Sequence, residues 1–191
     1  MRELTYFIAI SLDGCIAADD GGFSAFPVEG DHIEMIIREY PDTLPAPALA
    51  AMGLTADGSR FSTVLMGWNT YASGIEYGVL DPYPHLEQVL FTNEHAEADV
   101  PSIIRVVGSD PVAEVQRLKA ESGTGIWLCG GGKLAASLIG EIDRLVLKVN
   151  PLLLGRGRPL FDLPVGAGRF ELETSTPYRS GVVVNEYRSA P

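Results

Sequence analysis

Apolar and polar positions along the chain fall into short runs that switch between two periods. Period and punctuation predict strands at Leu4–Ile10, Thr63–Met66, Gln88–Thr92, Ile103–Val107, Gly125–Cys129, Arg144–Val149, Phe170–Ser175 and Val182–Arg188. Helical patterns lie between them. The clearest runs from Pro111 to Ser122, with Asp110 as N-cap, Pro111 in the first helical position and Gly123 as the stop. Val112, Val115 and Leu118 give it one buried face. A second helix starts around Gly132 and carries Leu134, Leu138 and Ile139; a third, at Asp31–Glu39, sets Ile33, Ile36 and Ile37 on one side; Asn69–Ile75 reads as a fourth.

Strand, helix, strand alternation implies parallel pairing through crossovers. The short link Thr176–Gly181 joins the last two strands as an antiparallel hairpin. The expected fold is therefore a single α/β domain, a mixed and mostly parallel sheet covered by helices. Pro41–Arg60, with its prolines and alanines, reads as an insertion or a loose helix-loop, and Val79–Leu86 as a loop.

Composition narrows the class. Apolar residues at 46% and charged residues at 20% exclude a disordered chain. No apolar run reaches the roughly 20 residues of a membrane span, and the first strand lacks the flanks of a secretion signal. Two cysteines, Cys15 and Cys129, make no disulfide framework. The expectation is a reduced, cytoplasmic protein. A net charge of −11 argues against nucleic acid or an anionic membrane as partner. The charge is uneven: residues 61–100 carry six acidic side chains and no basic one, whereas 101–160 carry eight basic and five acidic. The positive stretch holds both Gly130-Gly131-Gly132-Lys133 and Gly155-Arg156-Gly157-Arg158.

Three segments could carry chemistry. Ile126 to Cys129 runs as a strand into Gly130–Gly132, Lys133 and a helix, the arrangement in which free N–H groups and the helix dipole meet a phosphate. A flexible connection is the plainer alternative. Ser11-Leu12-Asp13-Gly14 follows the first strand; it is at least a turn, and lies where α/β sheets tend to place ligands. Met66-Gly67-Trp68-Asn69-Thr70 repeats the strand, glycine, helix pattern, with Trp68 either a stacking surface or a core residue. His32, His85 and His95 do not cluster, so neither a metal set nor a triad follows. The two cysteines read as small buried residues.

Together the motifs resemble the dihydrofolate reductase-like superfamily, in particular the C-terminal reductase domain of bifunctional riboflavin-biosynthesis proteins. The marks are Ser11-Leu12-Asp13-Gly14 with Ile16-Ala17, Met66-Gly67-x-x-Thr70-Tyr71, Gly130-Gly131-Gly132-x-Leu134, and Pro151-x-x-Leu154-Gly155-x-Gly157-x-Pro159-Leu160-Phe161. The resemblance implies a sheet of about eight strands with a nicotinamide dinucleotide, NADPH or NADH, over its C-terminal ends. It implies that Ala9 and Ile16 line the nicotinamide pocket. Gly67, Trp68, Asn69 and Thr70 would meet the dinucleotide at a helix start, and Thr92 and Asn93 its adenosine end. Gly130, Gly131 and Gly132, with Lys133 and Leu134, would cradle the pyrophosphate, the first glycine pair being cis. It further implies a homodimer.

Two departures stand out. Trp68 occupies the place of the basic residue that supports the 2′-phosphate of NADPH, with Arg105 as a possible substitute. Phe7 occupies the place of the lysine of riboflavin-pathway reductases. The Pro-Cys-x-x-Cys element that a zinc deaminase signature pairs with its His-x-Glu is absent from the sequence, so that signature is not complete here. In dihydrofolate reductases a carboxylate on the first helix fixes the heterocycle and helps deliver a proton. Asp31 is the first candidate here, with Glu34 and Glu29 behind it; the alternative is that all three are acids favoured by a helix N-terminus. The implied activity is hydride transfer to a C=N or C=O of a pteridine-like or pyrimidine-like small molecule. The rival is a ligand-binding protein that keeps the fold without catalysis.

Overall fold

The apolar runs pair as their alternation with helices predicts. A computed structural model describes residues 1–96, 99–166 and 168–190. The strands are β1 (Leu4–Ile10), β2 (Cys15–Ala18), β3 (Phe61–Gly67), β4 (Glu87–Phe91), β5 (Ile104–Val107), β6 (Gly125–Gly130), β7 (Arg144–Val149), β8 (Gly157–Pro159), β9 (Phe170–Pro177) and β10 (Val183–Ser189). The helices are α1 (Asp31–Glu39), α2 (Ala46–Met52), α3 (Trp68–Ile75), α4 (Pro111–Ala120) and α5 (Gly132–Ser137). Eight strands form one sheet in the order β5-β4-β3-β6-β1-β7-β10-β9. The first six in that order pair in parallel, and β10 runs antiparallel to both β7 and β9. The C-terminal ends of β3, β6, β1 and β7 thus stand side by side, where α/β sheets open their ligand crevice.

Both faces of the sheet are covered. On the first, α1 presses Met35 and Ile36 onto Phe7, Val146 and Val184. Phe7 stacks on Tyr40 at 4.4 Å between ring centroids, and Tyr40, Phe61 and Trp127 continue the row. Each such buried ring contributes about 1.5–3 kcal/mol. On the second face Val115 and Leu118 of α4 and Leu134 and Ala135 of α5 pack on Leu4, Tyr6, Ile126 and Leu128. The Asp110 carboxylate caps α4 by accepting the Ala113 N–H at 2.9 Å.

Two features go beyond the sequence pattern. Pro41–Arg60 is an ordered clamp. Asp42, fully buried, accepts the N–H groups of Gly58, Arg60 and Phe61, each at 2.9 Å. Between these anchors α2 forms and ends at Gly53 in the left-handed conformation, φ +64°. Separately, β2 and β8 form a two-stranded antiparallel ribbon, with Cys15 opposite Pro159 and Ala18 opposite Gly157. At three or four residues each, neither strand shows a legible period, and their partners lie some 140 positions apart.

Candidate active site

The ribbon explains why two of the motifs are present. Asp13, in the turn after β1, accepts a hydrogen bond from the Ser11 hydroxyl at 2.5 Å and the N–H groups of Leu154 and Gly155 at 3.2 and 2.7 Å. These bonds, the Ser11 hydroxyl foremost, hold its carboxyl below the ordinary range. A Cβ on Gly157 would overlap the Ala17 carbonyl oxygen, so only glycine lets β8 approach β2. The following segment then reaches the glycine turn: the Asp162 N–H donates to the Gly132 carbonyl at 3.0 Å, and a Cβ on Gly132 would overlap the Pro159 carbonyl oxygen. Gly132 is thus a packing glycine. Leu134 likewise serves the core.

Gly67, Gly130 and Gly131 remain to line the crevice. Gly67 ends β3 and caps α3; Gly131 follows β6 and caps α5; neither helix start has a side-chain cap. The two starts adjoin, since a Cβ on Gly67 would stand 3.7 Å from the Gly131 nitrogen. The Gly130–Gly131 peptide is cis. Added Cβ atoms at these two positions would face the Thr70 hydroxyl oxygen at 3.3 and 3.6 Å. Backbone N–H groups of two helices, bared by glycine and flanked by one hydroxyl, fit a pyrophosphate. Lys133, exposed at the start of α5, makes no ion pair among the described residues.

The other expected positions spread along the same edge. Ala9 is half-buried near the end of β1, opposite Lys148 of β7, and Ile16 is half-buried in β2. Asn69 is exposed in the first turn of α3. Thr92 follows β4 and accepts the Glu94 N–H at 3.2 Å, while Asn93 is exposed. Trp68 is half-buried against the core and stacks on His95, centroids 3.4 Å apart and planes within 9°. Arg105 is not free to replace a basic residue at Trp68. Its guanidinium bonds Glu114 and, at 3.0 Å, Glu87.

The candidate acids differ in what they contact. Asp31 accepts the N–H groups of Arg179 at 2.8 Å and Ser180 at 3.1 Å, fastening α1 to the β9–β10 turn. Burial opposes its charge, but those N–H groups and the Ser180 hydroxyl outweigh it and draw the carboxyl down to about 2. Such a group is ionised at neutral pH and has no proton to give. Glu34 and Glu29 are exposed. Among the described residues no cluster of three His, Cys, Asp or Glu side chains could hold a metal ion, and no helix is long and apolar enough to cross a membrane.

The residue that sequence reasoning passes over is Lys148. It sits on the inner face of β7 with its Nζ 4.2 Å above the Phe7 ring. Burial lowers its ammonium pKa to about 8, partly offset by Cys129. The available signal was a lysine at an inward position of the otherwise apolar run Leu145-Val146-Leu147-Lys148-Val149.

An eight-stranded, mostly parallel sheet with a C-terminal antiparallel hairpin defines a protein of dihydrofolate reductase-like fold. Within that class the chain belongs to the RibD C-terminal domain family, which residues 84–184 match. It is 26% identical over 193 residues to the uncharacterized protein YwjB of Bacillus subtilis, covering 98% of this chain and 99% of that one. It superposes on a putative riboflavin biosynthesis protein from Shewanella sp. PV-4 with a TM-score of 0.70 at 22% identity, each chain covered in full. It also superposes on dihydrofolate reductase from Enterococcus faecalis, solved with NADP(H), with a TM-score of 0.67 at 14% identity, covering 99% of this chain and 97% of that one. The fold implied by the sequence motifs is the fold observed.

Proposed function

We propose that the protein is a nicotinamide-dependent reductase of a pteridine-like or pyrimidine-like ring. The observation that carries this reading is the meeting of two uncapped helix starts at Gly67 and Gly131 on adjacent parallel strands. Family membership and the NADP(H) bound by the enterococcal enzyme support it. The N–H groups of α3 and α5 and the Thr70 hydroxyl would hold the pyrophosphate; Ala9 and Ile16 would face the nicotinamide; Thr92 and Asn93 would lie toward the adenosine. When bound, the reduced nicotinamide supplies a hydride to a C=N or C=O carbon. The chain's part is to hold ring and acceptor close and aligned. The small side chain of Ala9 leaves room at the end of β1, and the β2–β8 ribbon, pinned by Asp13, fixes Ile16. With Trp68 stacked on His95 and Arg105 bound by two carboxylates, no guanidinium is offered to a 2′-phosphate there, so NADH should serve alongside NADPH.

Titration of either cofactor, followed by its fluorescence, should saturate; failure of both to bind at millimolar concentration overturns the reading. The engagement of Asp31 favours one alternative, a dinucleotide binder without catalysis. Bound cofactor with no oxidation across pterin, flavin-precursor and quinone acceptors would select that alternative.

A further inference from the structure

Lys148 stands apart from the other cations of the inner face. No carboxylate lies within ion-pair distance of it among the described residues. Every group facing it is neutral or already engaged. From β6, Cys129 keeps its proton, burial pushing the thiol up to about 12. From the loop before β4, the Tyr83 hydroxyl lies 4.0 Å from the Cys129 sulfur, and burial raises it well above its ordinary value. From α1, His32 feels the charge of Lys148; burial is the main force lowering its pKa, and its Nδ1 lies 3.0 Å from the Ser180 hydroxyl. Asp31, beside it, is spent on the β9–β10 turn. From β10, Glu186 shares the face one pair back and is bonded to Arg144 at 3.3 Å.

The face of the Phe7 ring attracts the ammonium, but no anion balances its charge, and that leaves it open to an anionic or oxo partner. Lys148 is half-buried, so part of it meets solvent. It is paired in register with Ala9, next to last in β1, and so stands beside the position expected to line the nicotinamide. We infer that Lys148 is the group that selects the acceptor, its ammonium binding an oxo or oxyanion group on a planar heterocycle and turning away rings that present a cationic amidine edge. The inference rests on the proposed reductase site and deepens it by naming the substrate class. A carboxylate in this position would select diamino rings; a lysine reverses the preference through like-charge repulsion and a donor-only head.

The test measures two ring probes in the absence of cofactor, with dinucleotide binding followed separately as a control. Barbiturate, a planar pyrimidine oxyanion, should bind the full chain more tightly than 2,4-diaminopyrimidine by calorimetry. Its affinity should fall as pH rises through about 8, where Lys148 loses its charge. Lys148→Met should weaken barbiturate at least tenfold while leaving NADPH binding unchanged, and Lys148→Arg should retain most of the affinity. Lys148→Met, which keeps the apolar stem over Phe7, should melt cooperatively near the wild-type temperature, so loss of binding cannot be laid to unfolding. Equal barbiturate binding by Lys148→Met, preference for 2,4-diaminopyrimidine, or binding of neither probe would each overturn the inference. Barbiturate binding without binding of either dinucleotide would instead uphold Lys148 as a ring-binding group and overturn the reductase reading.

Discussion

At Asp31 two backbone N–H groups converge on one carboxylate, and these bonds have a mechanical consequence. Its charge is used to hold the Arg179–Ser180 turn against α1. An amide keeps the shape and one acceptor oxygen but loses the charge and the second acceptor. Asp31→Asn should therefore lower the melting temperature and leave the chemical step in place. The pH dependence follows from the depressed pKa. The carboxyl ordinarily titrates at 3.8 and here at about 2, so its contribution is present above about pH 4 and is lost as pH falls through about 2. Melting temperatures of wild type and Asp31→Asn, measured from neutral pH downward, should converge over that interval. Turnover abolished in Asp31→Asn with an unchanged melting temperature would return Asp31 to the role of proton donor. Residue identity alone could not separate the two roles. A carboxylate opening a helix reads the same whether it faces a ligand or a turn nearly 150 residues away. Lys148 is the converse case, a polar residue in an apolar strand whose meaning depends on which neighbours fail to pair with it.

Elements with a clear period were legible: β1, β7 and α1 coincide with the apolar pattern, and the others differ at their ends by only a residue or two. The elements that were not legible are held by single polar contacts. α2, seven residues long with Pro47 in its first turn, has little helix-forming strength of its own. It is secured from outside, because Asp42 gathers three N–H groups from the far end of its segment. Asp42→Ala would strand those groups in the interior at about 1–3 kcal/mol for each buried group left unpaired. The expected loss is about 3 kcal/mol or more, of order 10 °C in melting temperature for a chain of this size. Thermal denaturation checks it, and a fall below 2 °C would mean that α2 is held chiefly by its packing. The β2–β8 ribbon follows the same logic: its strands form because Asp13 and two close-packed glycines draw distant segments together. Its two motifs were readable as marks of a family, but their mutual contact was not, since spacing along a chain carries no information about partners far away in sequence.

For the molecule as a whole, a net charge of −11 should repel a dinucleotide, yet the proposed pyrophosphate site lies in its one positive stretch. Distance decides between the two effects. Screening cuts interactions beyond about 8–10 Å at ordinary ionic strength, so acidic side chains farther than that from the glycine turn act weakly there while nearby cations act in full. Lys133 opens α5, and Arg158 precedes the proline whose carbonyl backs onto Gly132. Both are exposed, and neither has an ion-pair partner among the described residues. The local attraction should prevail at low salt and be screened as salt rises, so dinucleotide affinity should fall with ionic strength. The double variant Lys133→Ala/Arg158→Ala loses these two charges, so the long-range repulsion weighs more against the helix N–H groups that remain. Its affinity at low salt should be about tenfold weaker, equivalent to about 1.4 kcal/mol, and should stay level or improve as salt is added. Fluorescence titrations of NADPH at two ionic strengths measure both quantities. A double variant with the wild-type affinity and salt slope would show that the helix N–H groups alone hold the pyrophosphate, leaving the positive stretch as a feature of composition.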